Sequence, residues 1–182
     1  MTDLLLRKQE FWEWAYSDFR SNAQRGVLAE YIVARALGCV DRKRVQWDAY
    51  DLITDCGIKV EVKSSAYLQA WKQKKPSLIR FDIAPKSAWS EEKNAYGIEL
   101  IRPADIYIFC VFATKALEEA NELDINQWFF LVCSSNFLNE QFPVQKSISL
   151  SSLEKLGIQR IKYHQLADAV TNFASKSLLV DA

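Results

Sequence analysis

The chain is poor in the residues that most often hold zinc. Among 182 residues there is one histidine, His164, and the four cysteines (Cys39, Cys56, Cys110 and Cys133) are widely spaced with no C-x-x-C pair. Structural zinc draws four ligands from Cys and His, so this inventory excludes a zinc site of the usual type. Cys110 and Cys133 lie in apolar runs and are expected as buried thiols, which fits a reducing compartment. No apolar run approaches the ~20 residues that cross a bilayer. The opening MTDLLLRKQE is too short and too polar for a secretory signal. The expectation is a cytoplasmic protein with no membrane partner. Repeats, low-complexity linkers and a visible domain boundary are absent too, so residues 1–182 read as one domain, long enough for a sizeable core.

Net charge is also lacking. Lys+Arg and Asp+Glu each number 23, and their sum gives no hint of nucleic acid. Their distribution does. Between Arg20 and Lys75 there are 11 basic and 6 acidic residues, a surplus of +5, balanced by acidic stretches at Glu91-Glu92 and Glu118 to Asp124.

A first helix is expected from Asp3 to about Phe19. Ser21 followed by Gln24 forms a capping-box pattern that opens a second helix, and Gly38 closes it. On that helix Val27, Ala34 and Leu37 fall on one stripe, and Glu30 falls on the same stripe. A carboxylate facing a core is costly unless something binds it. Strands are expected at Asp51–Thr54 and Ile58–Ser64, joined by a turn at Asp55-Cys56-Gly57. A third is expected at Leu78–Ile83. The nearly continuous apolar runs Asp105–Phe112 and Gln127–Cys133 read as central strands covered on both faces. Residues 65–75 read as helix or loop, Pro85–Glu99 as a polar loop, and Lys115–Asp124 as a charged excursion with a short helix. A short strand after Pro143, a segment Ser151–Leu156 and a helix Tyr163–Ala174 complete a mixed sheet flanked by helices, in the α/β or α+β class.

The segment Trp47 to Ser65, WDAYDLITDCGIKVEVKSS, concentrates the chemistry. Side chains alternate along a strand, so Glu61 and Lys63 share one face while Val60 and Val62 take the other. Asp51 opens the preceding strand. Two acids and a lysine converge on one side of a hairpin with an apolar back. Magnesium takes hard oxygen ligands, commonly one or two carboxylates with waters and phosphate oxygens. Asp51 and Glu61 can supply them, the Val62 backbone carbonyl can be a third, and Glu30 can reach the ion directly or through a water. Lys63 can orient an attacking water and offset developing charge.

Glu30, then Asp51, then Glu61-Val62-Lys63 resembles the PD-(D/E)XK nuclease superfamily, over roughly Ser21 to Phe112. The resemblance implies a restriction-endonuclease-like fold with its core at about residues 21–135. It also implies a Mg²⁺-dependent deoxyribonuclease, with Mn²⁺ able to substitute, in which Glu30, Asp51, Glu61 and Lys63 are the catalytic set. Tyr50 stands where the superfamily's motif has proline. Gln69 resembles polar residues that some branches place beyond the lysine. The alternative is an inactive module of the same fold that binds DNA or a partner protein, or an internal ion-pair network. Asp48 rivals Asp51 as the strand acid. Tyr67, Gln69, Arg80, Lys72, Lys74 and Lys75 are candidate substrate contacts. The run Arg42-Lys43-Arg44 either meets phosphates or is simply solvated. Trp71 and Trp89 are open to either a stacking or a core role, and His164 is expected to be structural. A homodimer or a targeting partner would each fit a chain with no separate recognition domain.

Overall fold

A computed structural model describes residues 5–41, 44–45, 49–90 and 95–178, with side chains outside the description at 87–90, 95–99 and 174–178. Arg42, Lys43, Trp47, Asp48, Glu91 and Glu92, and the side chain of Trp89, therefore lie outside the described residues.

Helix α1 spans Lys8–Tyr16 and buries none of its residues. It ends before the expected Phe19, where the Ser17 hydroxyl turns back to the Glu13 carbonyl and Asp18 takes the Arg20 N–H, and its expected start at Asp3 lies outside the described residues. Helix α2 spans Asn22–Leu37 with the caps its sequence signals: Ser21 Oγ accepts the Gln24 N–H, and Gly38 adopts φ 73°. Its buried stripe is Leu28, Ala29, Ile32, Val33 and Ala34. Of the expected stripe, Ala34 is buried and Leu37 packs against the core, but Val27 is 40% exposed, so the core face is turned toward Leu28 and Ala29 and Glu30 lies at its margin.

The strands are β1 Leu52–Ile53, β2 Lys59–Ala66, β3 Arg80–Asp82, β4 Lys86–Ser90, β5 Ala95–Ile101, β6 Ile106–Phe112, β7 Trp128–Ser134 and β8 Ser147–Ser149. The central sheet runs β1-β2-β6-β7. β2 and β6 are parallel, and both outer pairs are antiparallel. β3 pairs with β8, and β4 with β5, as antiparallel ribbons. This is the mixed α/β sheet flanked by helices that the sequence leads one to expect. The structure corrects one local reading, selects the loop in a second and adds a helix that was not expected. Pro85–Glu99 is not a loop but supplies β4 and the start of β5. Residues 65–75 extend β2 and then form a loop rather than a helix. A helix α3, Ser135–Gln141, follows β7 directly, before α4 at Leu150–Lys155 and α5 at Leu166–Leu178.

Two cores lie on opposite faces of the sheet. Val60, Val62 and Ala66 of β2 join Ile106, Ile108, Cys110 and Phe112 of β6 against α2 and α5. Tyr107, Phe109 and Val111 of β6 pack on the other side against Phe81, Ile148 and Leu153. By strand alternation Glu61, Lys63 and Ser65 belong to this second face.

Candidate active site

A tight turn sets the site. Gly57, at φ 85°, donates to Thr54 O at 2.9 Å, and Thr54 Oγ1 accepts the Ile58 N–H at 3.0 Å. The β1–β2 register pairs Leu52 with Val60 and Ile53 with Lys59, which sets Asp51 opposite Glu61 one step beyond the end of β1. Past that point the edge of β2 is open to side chains. Asp51 Oδ2 accepts the Val62 N–H at 2.7 Å, while the Asp51 N–H donates to Val60 O at 3.0 Å. Carbonyls two residues apart leave a strand on the same edge, so the Val62 carbonyl projects on the side where Asp51 lies.

Glu61 is 3% exposed. Its Oε1 accepts from Lys63 Nζ at 2.6 Å and from Lys86 Nζ at 2.9 Å. The expected Glu61–Lys63 pair is thus formed, and it is buried rather than a solvated surface bridge. Lys86 was not anticipated from the sequence. It enters from the first position of β4, and nothing in the local pattern marks it. Burial works against the Lys86 ammonium, but the hydrogen bond and charge of Glu61, with Asp51 and Asp82 nearby, raise its pKa above the ordinary lysine value. Asp82, on β3, is a further acid near the site that the sequence did not single out.

Burial, then the charge of Glu61, raises Asp51 to about 6, with Glu30 adding to the effect and the Val62 N–H and Lys63 opposing it. Glu61 also lies next to Tyr107 in the β2–β6 register. Burial first, then Glu61, pushes the Tyr107 phenol well above its ordinary value, so it stays protonated. Glu30 is held from the α2 margin by a fork from Arg44, with Nε to Oε2 at 2.5 Å and the terminal nitrogen to Oε1 at 2.9 Å. This fork raises the Arg44 pKa. Arg44, read from sequence as a phosphate contact or a solvated residue, is committed to Glu30.

The structure therefore brings together Asp51, Glu61, Lys63 and the edge of Val62, with Glu30 close enough to act on Asp51 through its charge. Among the described residues, no three Asp, Glu, His or Cys side chains form a metal-ligand cluster. The donors here are two facing carboxylates and main chain.

The candidate substrate contacts lie elsewhere. Gln69 Nε2 donates to Ala66 O at 2.9 Å, and its Oε1 accepts from Arg25 of α2 at 3.4 Å, so it ties the end of β2 to the helix. Tyr67 lies at the far end of β2 beneath Lys115, whose Nζ is 4.6 Å from the ring centroid. Arg80 is exposed on β3 opposite Ser149. Lys72, Lys74 and Lys75 line a groove in the loop after β2 with Trp71, which is 59% exposed and so not a core residue. His164 is exposed in a short turn of helix before α5. None of these residues pairs with Asp51 or Glu61.

Residues 9–152 match the family model described as bacteriophage T4 endonuclease IV. That span covers about four-fifths of the chain and every residue of the carboxylate–lysine site, so the protein is a nuclease by family. The chain belongs to the bacteriophage T4 endonuclease IV family. A comparison with curated proteins gives no match. No helix among the described residues is long and apolar enough to cross a membrane.

Proposed function

We propose that the protein is a Mg²⁺-dependent endonuclease that hydrolyses DNA phosphodiester bonds, with a site of the PD-(D/E)XK pattern. The observation that carries this reading is Asp51 facing Glu61 across the β1–β2 hairpin, with Glu61 buried and bonded to Lys63. The donor set fits a hard divalent ion. Two carboxylates repel one another strongly enough to help raise Asp51 to about 6, and Glu61 satisfies its charge by drawing two lysines to one oxygen. Magnesium sites commonly use one or two carboxylates, leaving positions for water and phosphate.

Asp51 and Glu61 would hold the ion with the Val62 carbonyl, and Glu30 would support it from α2. Bound there, the ion supplies Lewis-acid polarisation of a phosphate oxygen and a water acidic enough to attack near neutral pH. Lys63 Nζ lies beside the carboxylate, where it would orient the attacking water and stabilise charge on the phosphate. Lys86 adds a second cation at the same oxygen. Arg44 fixes Glu30 so that its carboxylate keeps one orientation.

A second reading is a module that binds DNA without cutting. It is favoured by the fact that Glu61 and Glu30 already have cationic partners within the chain. A cleavage assay separates the two, with supercoiled, linear, single-stranded and branched DNA, Mg²⁺ or Mn²⁺, and wild type beside Glu61→Ala and Lys63→Ala. Metal-dependent cutting lost in both variants supports the nuclease. Binding without cutting on every substrate supports the module.

A further inference from the structure

At the opposite end of β2 from Glu61, the chain forms a basic pocket that none of the chemistry above uses. It holds about 350 Å³ and is lined by Tyr67, Lys115, Phe129, Arg160 and Lys162, with Ala113 and Ile161. Four separate segments build it. Tyr67 follows β2, Lys115 follows β6, Phe129 lies in β7, and Arg160 and Lys162 flank Ile161 in the connection between α4 and α5. That connection is fixed to β7 by two backbone bonds, Phe130 N to Ile161 O at 2.9 Å and Ile161 N to Phe130 O at 2.8 Å. The cations are therefore carried on braced backbone.

Three cations converge here, and two of them rest on aromatic rings. Lys115 Nζ lies 4.6 Å from the Tyr67 centroid, and the Arg160 guanidinium lies 4.4 Å from that of Phe129. The rings hold the side chains by cation–π attraction without consuming their N–H donors. Glu154 takes one of those donors, Arg160 Nε, at 2.5 Å, and among the described residues no carboxylate pairs with Lys115 or Lys162. A guanidinium and two ammonium groups around one cavity recognise a phosphate.

Position names the source of that phosphate. Tyr67 lies one residue past the end of β2, six residues on from Glu61 and on the same side of the sheet, so the pocket lies ~20 Å from the carboxylate pair. A DNA strand crossing the active site covers that distance within a few nucleotides. We propose that Lys115, Arg160 and Lys162 form a second phosphate site that grips the backbone of the DNA being cut, remote from the scissile bond. The assignment rests on the nuclease reading above, and it adds an anchoring site that Asp51, Glu61 and Lys63 do not provide.

The test measures binding of a labelled DNA oligonucleotide by fluorescence anisotropy in EDTA across a salt series. It compares wild type, Arg160→Gln, the double variant Lys115→Gln with Lys162→Gln, and Glu61→Gln. The pocket variants should bind at least tenfold more weakly, and the slope of log affinity against log salt should become shallower by roughly one for each phosphate no longer neutralised. In a parallel cleavage assay with Mg²⁺, their kcat at saturating DNA should stay within about twofold of wild type while KM rises, since phosphate contacts position rather than cut. Glu61→Gln should bind in EDTA at least as tightly as wild type, since it removes a negative charge beside Lys63 and Lys86, and should fail to cut with Mg²⁺. If Glu61→Gln still cuts, the nuclease site is wrong, whatever the pocket does. If Glu61→Gln is inactive but the pocket variants keep wild-type affinity and salt slope, the second phosphate site is overturned on its own. A melting shift with inorganic phosphate that vanishes in those variants would then reassign the pocket to a free anion.

Discussion

β2 and β6 are neighbouring parallel strands of one sheet, both buried where Glu61 meets Tyr107 and opposite in chemistry there. Glu61 is 3% exposed and Tyr107, beside it in register, is 2% exposed. β6 reads IYIFCVF and is buried throughout, with aromatic and aliphatic side chains on both faces. β2 reads KVEVKSSA and keeps one apolar face while the other carries a carboxylate and a lysine. The pair shows that depth does not select the residue. A buried ion pair is weak evidence of stability, because desolvation offsets the attraction, and apolar residues of similar volume often replace one without loss. β6 is built for cohesion. The charge on β2 needs another explanation, and the proposed cation and phosphate chemistry would supply it.

The contrast makes the two strands separable by substitution. Glu61→Gln is expected to lower single-turnover DNA cleavage by at least about 10³-fold, some 4 kcal/mol of barrier, while the far-UV spectrum is retained. Phe109→Ala on β6 is expected to do the reverse. Phe109 is 0% exposed and packs on Phe81 at a centroid distance of 4.8 Å, so its loss should cost about 3–5 kcal/mol in a urea melt. Lys63→Met should reduce cleavage by roughly 10²-fold with a small effect on DNA affinity, the pattern of a group that acts in the transition state.

A pH titration probes the carboxylate pair without substrate. The Asp51 pKa is raised from 3.8 to about 6 on folding. A raised acid binds its proton more tightly in the folded state, so its contribution to stability is complete below pH ~4 and is lost as pH rises through 6. In EDTA, wild type should lose on the order of 2 kcal/mol relative to Asp51→Asn between pH 4 and 7. The smallest effect concerns the thiols. Burial raises both Cys110 and Cys133, the latter to about 12, whereas Cys56 is exposed. Native protein should alkylate at Cys56 and leave Cys110 and Cys133 unmodified, as peptide mass mapping would show.

What the sequence revealed was what local rules control. Ser21 and Gly38 bound α2 because capping is decided within a few residues. Asp51, Glu61 and Lys63 meet because a short turn fixes register and strand alternation fixes the face. The phase of α2 was not legible, since VLAEYIVARAL is apolar at so many positions that two stripes fit it, and packing against β2 selects Leu28, Ala29, Ile32 and Val33. β4 and β5 were hidden by Pro85 and a charged centre that resemble a loop. α3 has seven residues, too few for periodicity, although Ser134 caps it by accepting the Phe137 N–H at 3.1 Å. Lys86 was out of reach for a different reason. It joins Glu61 only after the chain has passed through β3 and returned, and no spacing rule links positions 61 and 86.

The most direct test of the carboxylate pair as a cation site is a Mg²⁺ titration of the melting temperature in wild type, Asp51→Asn and Glu61→Gln. Preferential binding to the folded state should raise the wild-type midpoint as Mg²⁺ increases, and both variants should stay flat. A wild-type midpoint that ignores Mg²⁺, or one that rises equally in all three proteins, would contradict the account.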